Sequence, residues 1–117
     1  MSFDPKEFIV IAEEIDKGTT EAHVRSMINR AYYGAFGYAK LKTNFTRDGA
    51  SVHQDLIAYL KRLPDANAQM AGCKLETLFK NRKKADYQYN FCLSKSSYVF
   101  SIKYAEEVIS LLDSSSL

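Results

Sequence analysis

Long apolar runs, paired cysteines and proline are what this chain has least of. No stretch of about twenty uncharged apolar residues occurs, so no membrane-spanning helix is expected. A leader with a basic, then apolar, then small-residue pattern is missing as well, which argues against export. The 117 residues hold two cysteines, Cys73 and Cys92, too far apart in sequence for zinc-ligand spacing, and free thiols in a reducing cytoplasm are the expected state. With two histidines, His23 and His53, and no clustered carboxylates, no metal site is expected and no cofactor is implied. A Gly-rich phosphate-cradling loop and a Ser-His-Asp arrangement are also missing. No alternating apolar–polar run survives to suggest a strand.

What is present is helix and charge. The apolar fraction of 46% and charged fraction of 26% are those of a globular protein, and the length suits one domain over residues 1–117. The net charge of +2 conceals three blocks. Residues 1–21 carry −4, residues 22–104 carry +9 and residues 105–117 carry −3. A basic middle between acidic ends points to an anionic partner at the centre, or else to a solvated surface with acids near helix starts.

Both prolines fall where a helix begins or ends. "FDPKEFIVIAEEIDKG" offers Asp4 as N-cap, Pro5 at the first helical position and Gly18 as the stop, with Phe8, Ile11, Ala12 and Ile15 at helical spacing. A second helix is expected from about Thr20 to Lys42, and a third from about Ser51 until Pro64 closes it. Asp65 caps a fourth reaching about Tyr87, and a last helix covers about Ser96 to Leu112. Short connections between them predict an all-α, five-helix antiparallel up-and-down bundle. The second helix is its centre. Val24, Ile28, Ala31, Ala35 and Tyr38 form a stripe that Tyr32, Phe36 and Ala39 widen, and a helix apolar on most sides is buried on most sides. Ala31, Ala35 and Ala39 allow close helix approach, inside the bundle or across a dimer interface.

That helix also carries Arg30 and two glycines, Gly34 and Gly37, which a helix interior normally avoids. On one reading the glycines leave a groove beside Arg30 and Tyr33 in which an anion sits. On the other, Arg30 pairs with an acid of the fourth helix and the glycines admit a packed neighbour. The fourth helix contributes "LFKNRKKADYQYN", where Lys80, Arg82, Lys83 and Lys84 precede Asp86 and Tyr87. Such lysines and arginines neutralise phosphates, and interleaved tyrosines stack on bases; a solvated helix face is the plainer alternative. Arg82 and Asp86 stand at i,i+4 with the base first, the weaker order for helix support. His53, in the first turn of the third helix, reads more readily as a packing residue than as a catalyst.

Taken together, "RSMINRAYYGAFGYAK", the histidine at position 53 and "LFKNRKKADYQ" resemble the HEPN superfamily in order and spacing. The resemblance implies a small helical bundle, usually a homodimer, of the kind found in prokaryotic toxin–antitoxin and phage-defence systems. It implies that Arg30, Tyr33, Arg82, Asp86 and Tyr87 line a shared polar groove near the dimer interface. Many members are metal-independent ribonucleases; others are inactive and bind nucleotides or a partner, often a nucleotidyltransferase, as toxin binds antitoxin. Active members carry a histidine shortly after the second arginine, where this chain has Tyr87, Gln88 and Tyr89. Without it, proton transfer would fall to His53 or to Tyr87, whose phenol ordinarily titrates near 10. The expectation is therefore a cytoplasmic, HEPN-like dimer binding nucleotide, RNA or an acidic partner, with Lys80, Lys83 and Lys84 joining the groove residues. A variant ribonuclease and a purely structural interaction bundle are the alternatives.

Overall fold

Three of the helix starts are set by a short polar side chain that satisfies a backbone N–H group left over in the first turn. Asp4 accepts from the amide of Lys6 at 3.0 Å, Thr20 from His23 at 3.3 Å and Asp65 from Ala68 at 2.9 Å. The computed structural model describes residues 3–117. In it α1 spans Lys6–Ile15, α2 Glu21–Lys42, α3 Val52–Arg62 and α4 Ala66–Tyr87. After an irregular stretch, a single turn α5, Lys95–Tyr98, runs into α6, Phe100–Asp113. No strand occurs among the described residues, and five principal helices make the all-α bundle that the sequence predicts.

Two boundaries differ in detail. Pro5 takes the cap position rather than the first helical one, a one-residue offset. The last helix is interrupted at Val99, which itself keeps helical dihedrals (φ −59°, ψ −25°), so α5 and α6 are one helix with a disturbed turn.

Side-chain pairs give the helix directions. Pro5 and Ile9 of α1 lie on Gly37 and Gly34 of α2, so the two helices run antiparallel. Asn29 meets Asp86 while Tyr32 meets Phe79, which makes α2 and α4 antiparallel. Lys61–Glu76 with His53–Phe79 does the same for α3 and α4, and Asn67–Ser114 with Lys74–Glu107 for α4 and α6. The core sits between α2, α4 and α6, on Met27, Ile28, Tyr32, Leu75, Leu78, Val108 and Leu112, all without solvent exposure. Ala31, Ala35 and Ala39 are equally sealed, so the small residues of α2 serve approach within the bundle. Among the described residues, no helix is long and apolar enough to cross a membrane.

The glycines of α2 have a packing explanation. A Cβ on Gly34 would stand 2.6 Å from Cγ1 of Ile9, and one on Gly37 would stand 2.7 Å from Cβ of Pro5. Real side chains do not approach so closely, so α1 rests directly on the α2 backbone. The groove expected beside these glycines is filled by Pro5 and Ile9.

Candidate functional site

Four rings surround the guanidinium of Arg82, which is 6% exposed. Its Cζ lies 5.4 Å from the ring centre of Phe79, 5.6 Å from Tyr33, 5.7 Å from Tyr32 and 5.7 Å from Tyr87. Two rings come from α2 and two from α4, and stacked π faces partly replace the water such a cation loses. Its polar partner is Asp86, one turn on, at 3.4 Å from Nη1. Nε has no hydrogen-bond partner among the described residues. The sequence places Arg82 in a run of lysines, yet the fold separates it from them. Lys80, Lys83 and Lys84 face solvent while Arg82 turns inward, because on a helix the residue between two exposed neighbours can point the other way.

Beneath this cage lies His53, stacked on Phe79 at 5.2 Å with 14° between the planes and 4.4 Å from Phe36. Its Nδ1 shares a 2.5 Å hydrogen bond with the Tyr32 hydroxyl. Burial first, then the positive charges of Arg82 and Lys40, pushes the imidazole below its ordinary value near 6.5. Burial drives the Tyr32 phenol upward, with Arg82 opposing. Both rings are therefore uncharged at neutral pH. His53 is a packing histidine that buttresses the cage from α3.

Beside the cage, between α2 and the end of α4, a recess of about 670 Å³ opens to solvent. Ser26, Asn29 and Arg30 line it from α2, Asp86 and Tyr87 from α4, and Tyr89 from the segment beyond. Arg30 is exposed, its Cζ 5.6 Å from the ring of Phe8, and its Nη1 donates to Oδ1 of Asn29 at 2.8 Å. It makes no ion pair among the described residues, so the alternative in which it is buried against an acid of the fourth helix is not met; Arg82 holds that place. Nδ2 of Asn29 in turn donates to both Asp86 oxygens, at 3.3 and 3.0 Å. Arg30, Asn29, Asp86 and Arg82 thus form one chain of hydrogen bonds running from solvent to core.

Arg25 closes the recess at its far end. Its guanidinium donates to the carboxylate of Glu21 and to four carbonyls at the end of α4 and just beyond it, those of Lys84, Ala85, Gln88 and Phe91, at 2.7–3.1 Å. The last turn of a helix leaves carbonyls without intrahelical donors; here one side chain from α2 donates to that of Ala85, joins the Gln88 amide on that of Lys84, and reaches two carbonyls beyond the helix. Hydrogen bonding from Arg25, then from the thiol of Cys92, holds the Glu21 carboxyl below its usual range.

Of the residues the sequence singles out, Arg30, Asp86 and Tyr87 meet in the recess. Arg82 and Tyr33 lie one layer deeper in the cage, so Arg30 and Arg82 are coupled through Asn29 and Asp86 rather than sharing an open groove. Lys80 and Lys83 line a separate cleft of about 260 Å³ between α3 and α4, with Gln54, Lys61 and Phe79. The carbonyl of Lys84 is used by Arg25, and its ammonium lies in neither space. Asn29, Arg25 and Tyr89 escape the sequence reading. Glu21, Arg25 and Asn29 stand four apart along α2, and that polar line is the signal that marks them. No three His, Cys, Asp or Glu residues among those described are grouped to hold a metal ion. Comparison with family models, with curated proteins and with solved structures finds no match to this chain.

Proposed function

We propose that this is a HEPN-like helical protein that binds a nucleotide or RNA through the α2–α4 recess and does not itself cleave it. The observation carrying this reading is Arg30, a solvent-facing guanidinium without an acidic partner among the described residues, set at a concave opening rimmed by exposed tyrosines. Tyr87 and Tyr89 are 69% and 76% exposed, so both rings are open to a ligand in the recess. Cation for phosphate and ring for base is the pairing that single-stranded nucleic acid requires. On this reading the chain works as a homodimer with a cognate antitoxin or nucleotidyltransferase-type partner, as a component of a toxin–antitoxin or phage-defence module.

The ribonuclease alternative has less support. Cleavage without a metal needs a proton acceptor and a proton donor beside the phosphate, and the recess residues include no histidine. His53 commits Nδ1 to Tyr32 inside the cage.

Fluorescence anisotropy with a labelled RNA oligonucleotide and with a mononucleotide tests the proposal. Arg30→Ala should weaken binding about tenfold, the loss of one charge-assisted contact, while Lys103→Ala on α6 should leave it unchanged. Affinity indifferent to Arg30→Ala defeats the reading. RNA degradation that persists in EDTA and disappears in Arg82→Ala would replace it with the ribonuclease.

A further inference from the structure

The geometry points to Asp86 as the residue that selects a ribose over a 2′-deoxyribose, so that the ligand of the recess is a ribonucleotide bound by its sugar as well as its phosphate. This rests on the nucleotide reading above and adds to it the sugar class and the residue that reads it.

A carboxylate in the wall of an anion-binding recess opposes the anion unless a neighbouring cation, or a donor of the ligand, offsets it. Asp86 is such a carboxylate, with its side chain 25% exposed and lining the same recess as Arg30. Its protein partners do not exhaust it. The two oxygens offer about four acceptor positions, and they receive one Asn29 amide nitrogen and a long 3.4 Å contact from Arg82. Vicinal hydroxyls of a ribose are donors of the right kind, because each O–H can turn toward an oxygen of the carboxylate.

Spacing restricts the ligand further. One Asn29 amide bridges the two charges, at 2.8 Å from Arg30 and 3.0 Å from Asp86. With the fixed dimensions of an amide, Arg30 Nη1 and the nearer Asp86 oxygen are no more than about 8 Å apart. That interval is too short for a phosphate on Arg30 and the far edge of a base on Asp86. It suits a 5′-phosphate and the hydroxyls of the same ribose, each at hydrogen-bonding distance from its partner. The base then projects away from both charges, toward the rings of Tyr87 and Tyr89. Arg82 behind Asp86 keeps the carboxylate from opposing the phosphate at full charge. Asn29, bonded on both sides, holds the spacing. The resulting recognition is indifferent to base identity and sensitive to the sugar.

Equilibrium binding of 5′-AMP and 2′-deoxy-5′-AMP to the full chain decides the matter. Wild type should bind the ribonucleotide about tenfold more tightly, the worth of a hydrogen bond to a charged acceptor. Asp86→Ala should bring the ratio to about one. The ratio is internal to each protein, so a general loss of stability does not imitate this result. Should Asp86→Ala not fold because Arg82 is left alone, Arg82→Leu/Asp86→Ala removes both members of the ion pair and gives the same readout. Equal affinities in wild type, or a preference that survives the removal of Asp86, overturn the sugar assignment alone. A wild-type protein that binds neither nucleotide overturns the nucleotide reading and this assignment with it.

Discussion

At the scale of single residues, His53 shows how a side chain that looks chemical becomes mechanical. It sits among Phe36, Phe79 and Tyr32, with Arg82 and Lys40 near enough to oppose a second positive charge. A histidine whose folded value lies below its unfolded value binds fewer protons in the native state. Stability therefore rises with pH across its titration. The contribution is complete above about 6.5, the unfolded value, and is lost as pH falls below it. Urea denaturation should accordingly give a lower midpoint at pH 5.5 than at pH 7.5. His53→Gln should flatten that difference; a slope unchanged by the substitution would show that other groups set it.

At the scale of elements, two close approaches hold the bundle and are open to direct test. Arg25, itself steadied by Glu21 on the same helix, ties the start of α2 to the end of α4 and to the segment that follows through four carbonyl acceptors. Arg25→Ala should cost about 2 kcal/mol. Hydrogen exchange should rise at the end of α4 and over residues 88–93 well before it rises in α6. Arg25→Lys should recover only part, since an ammonium lacks the planar fork that reaches several carbonyls together. The second approach is α1 on the glycines of α2. Gly34→Ala gains up to about 1 kcal/mol of helix propensity but sets a methyl 2.6 Å from Ile9. Overpacking of that kind costs about 1–3 kcal/mol, so the net change should be a destabilisation of up to about 2 kcal/mol. Thermal melts of Gly34→Ala in an Ile9→Ala background should show much of that loss removed, because the two substitutions share one space; strict additivity would count against direct contact.

For the molecule as a whole, the charge blocks acquire a geography. The acids of residues 1–21 include Glu7, Glu13 and Glu14 on the exposed side of α1, while the excess base lies on α2, α3 and α4. The recess opens between α2 and α4 near the middle of this distribution, which favours approach of an anion by long-range attraction. Nucleotide affinity should therefore fall as salt is raised from low to physiological concentration, where screening shortens to about 8 Å; salt-independent binding would disagree with a charge-led encounter. Light scattering tests the proposed dimer, for which twice the 13.3 kDa chain mass is expected at micromolar concentration.

The sequence by itself determined the helices, because caps, prolines and apolar spacing act locally and are read a few residues at a time. Asp65, Thr20 and Pro64 mark their boundaries, and the stripe along α2 announces the most buried helix. It also drew attention to Arg30, since a charge among apolar neighbours must be accounted for somewhere. Only the tertiary structure decided which arginine goes where. Gly34 and Gly37 read equally well as an open groove or a close contact, and the choice depends on α1, whose path over α2 no local pattern specifies. The same holds for Arg25, whose four carbonyl partners lie about sixty residues away in sequence. Helix propensity is a property of neighbours along the chain, whereas a recess is made by the side chains that packing leaves unfilled between helices far apart in it.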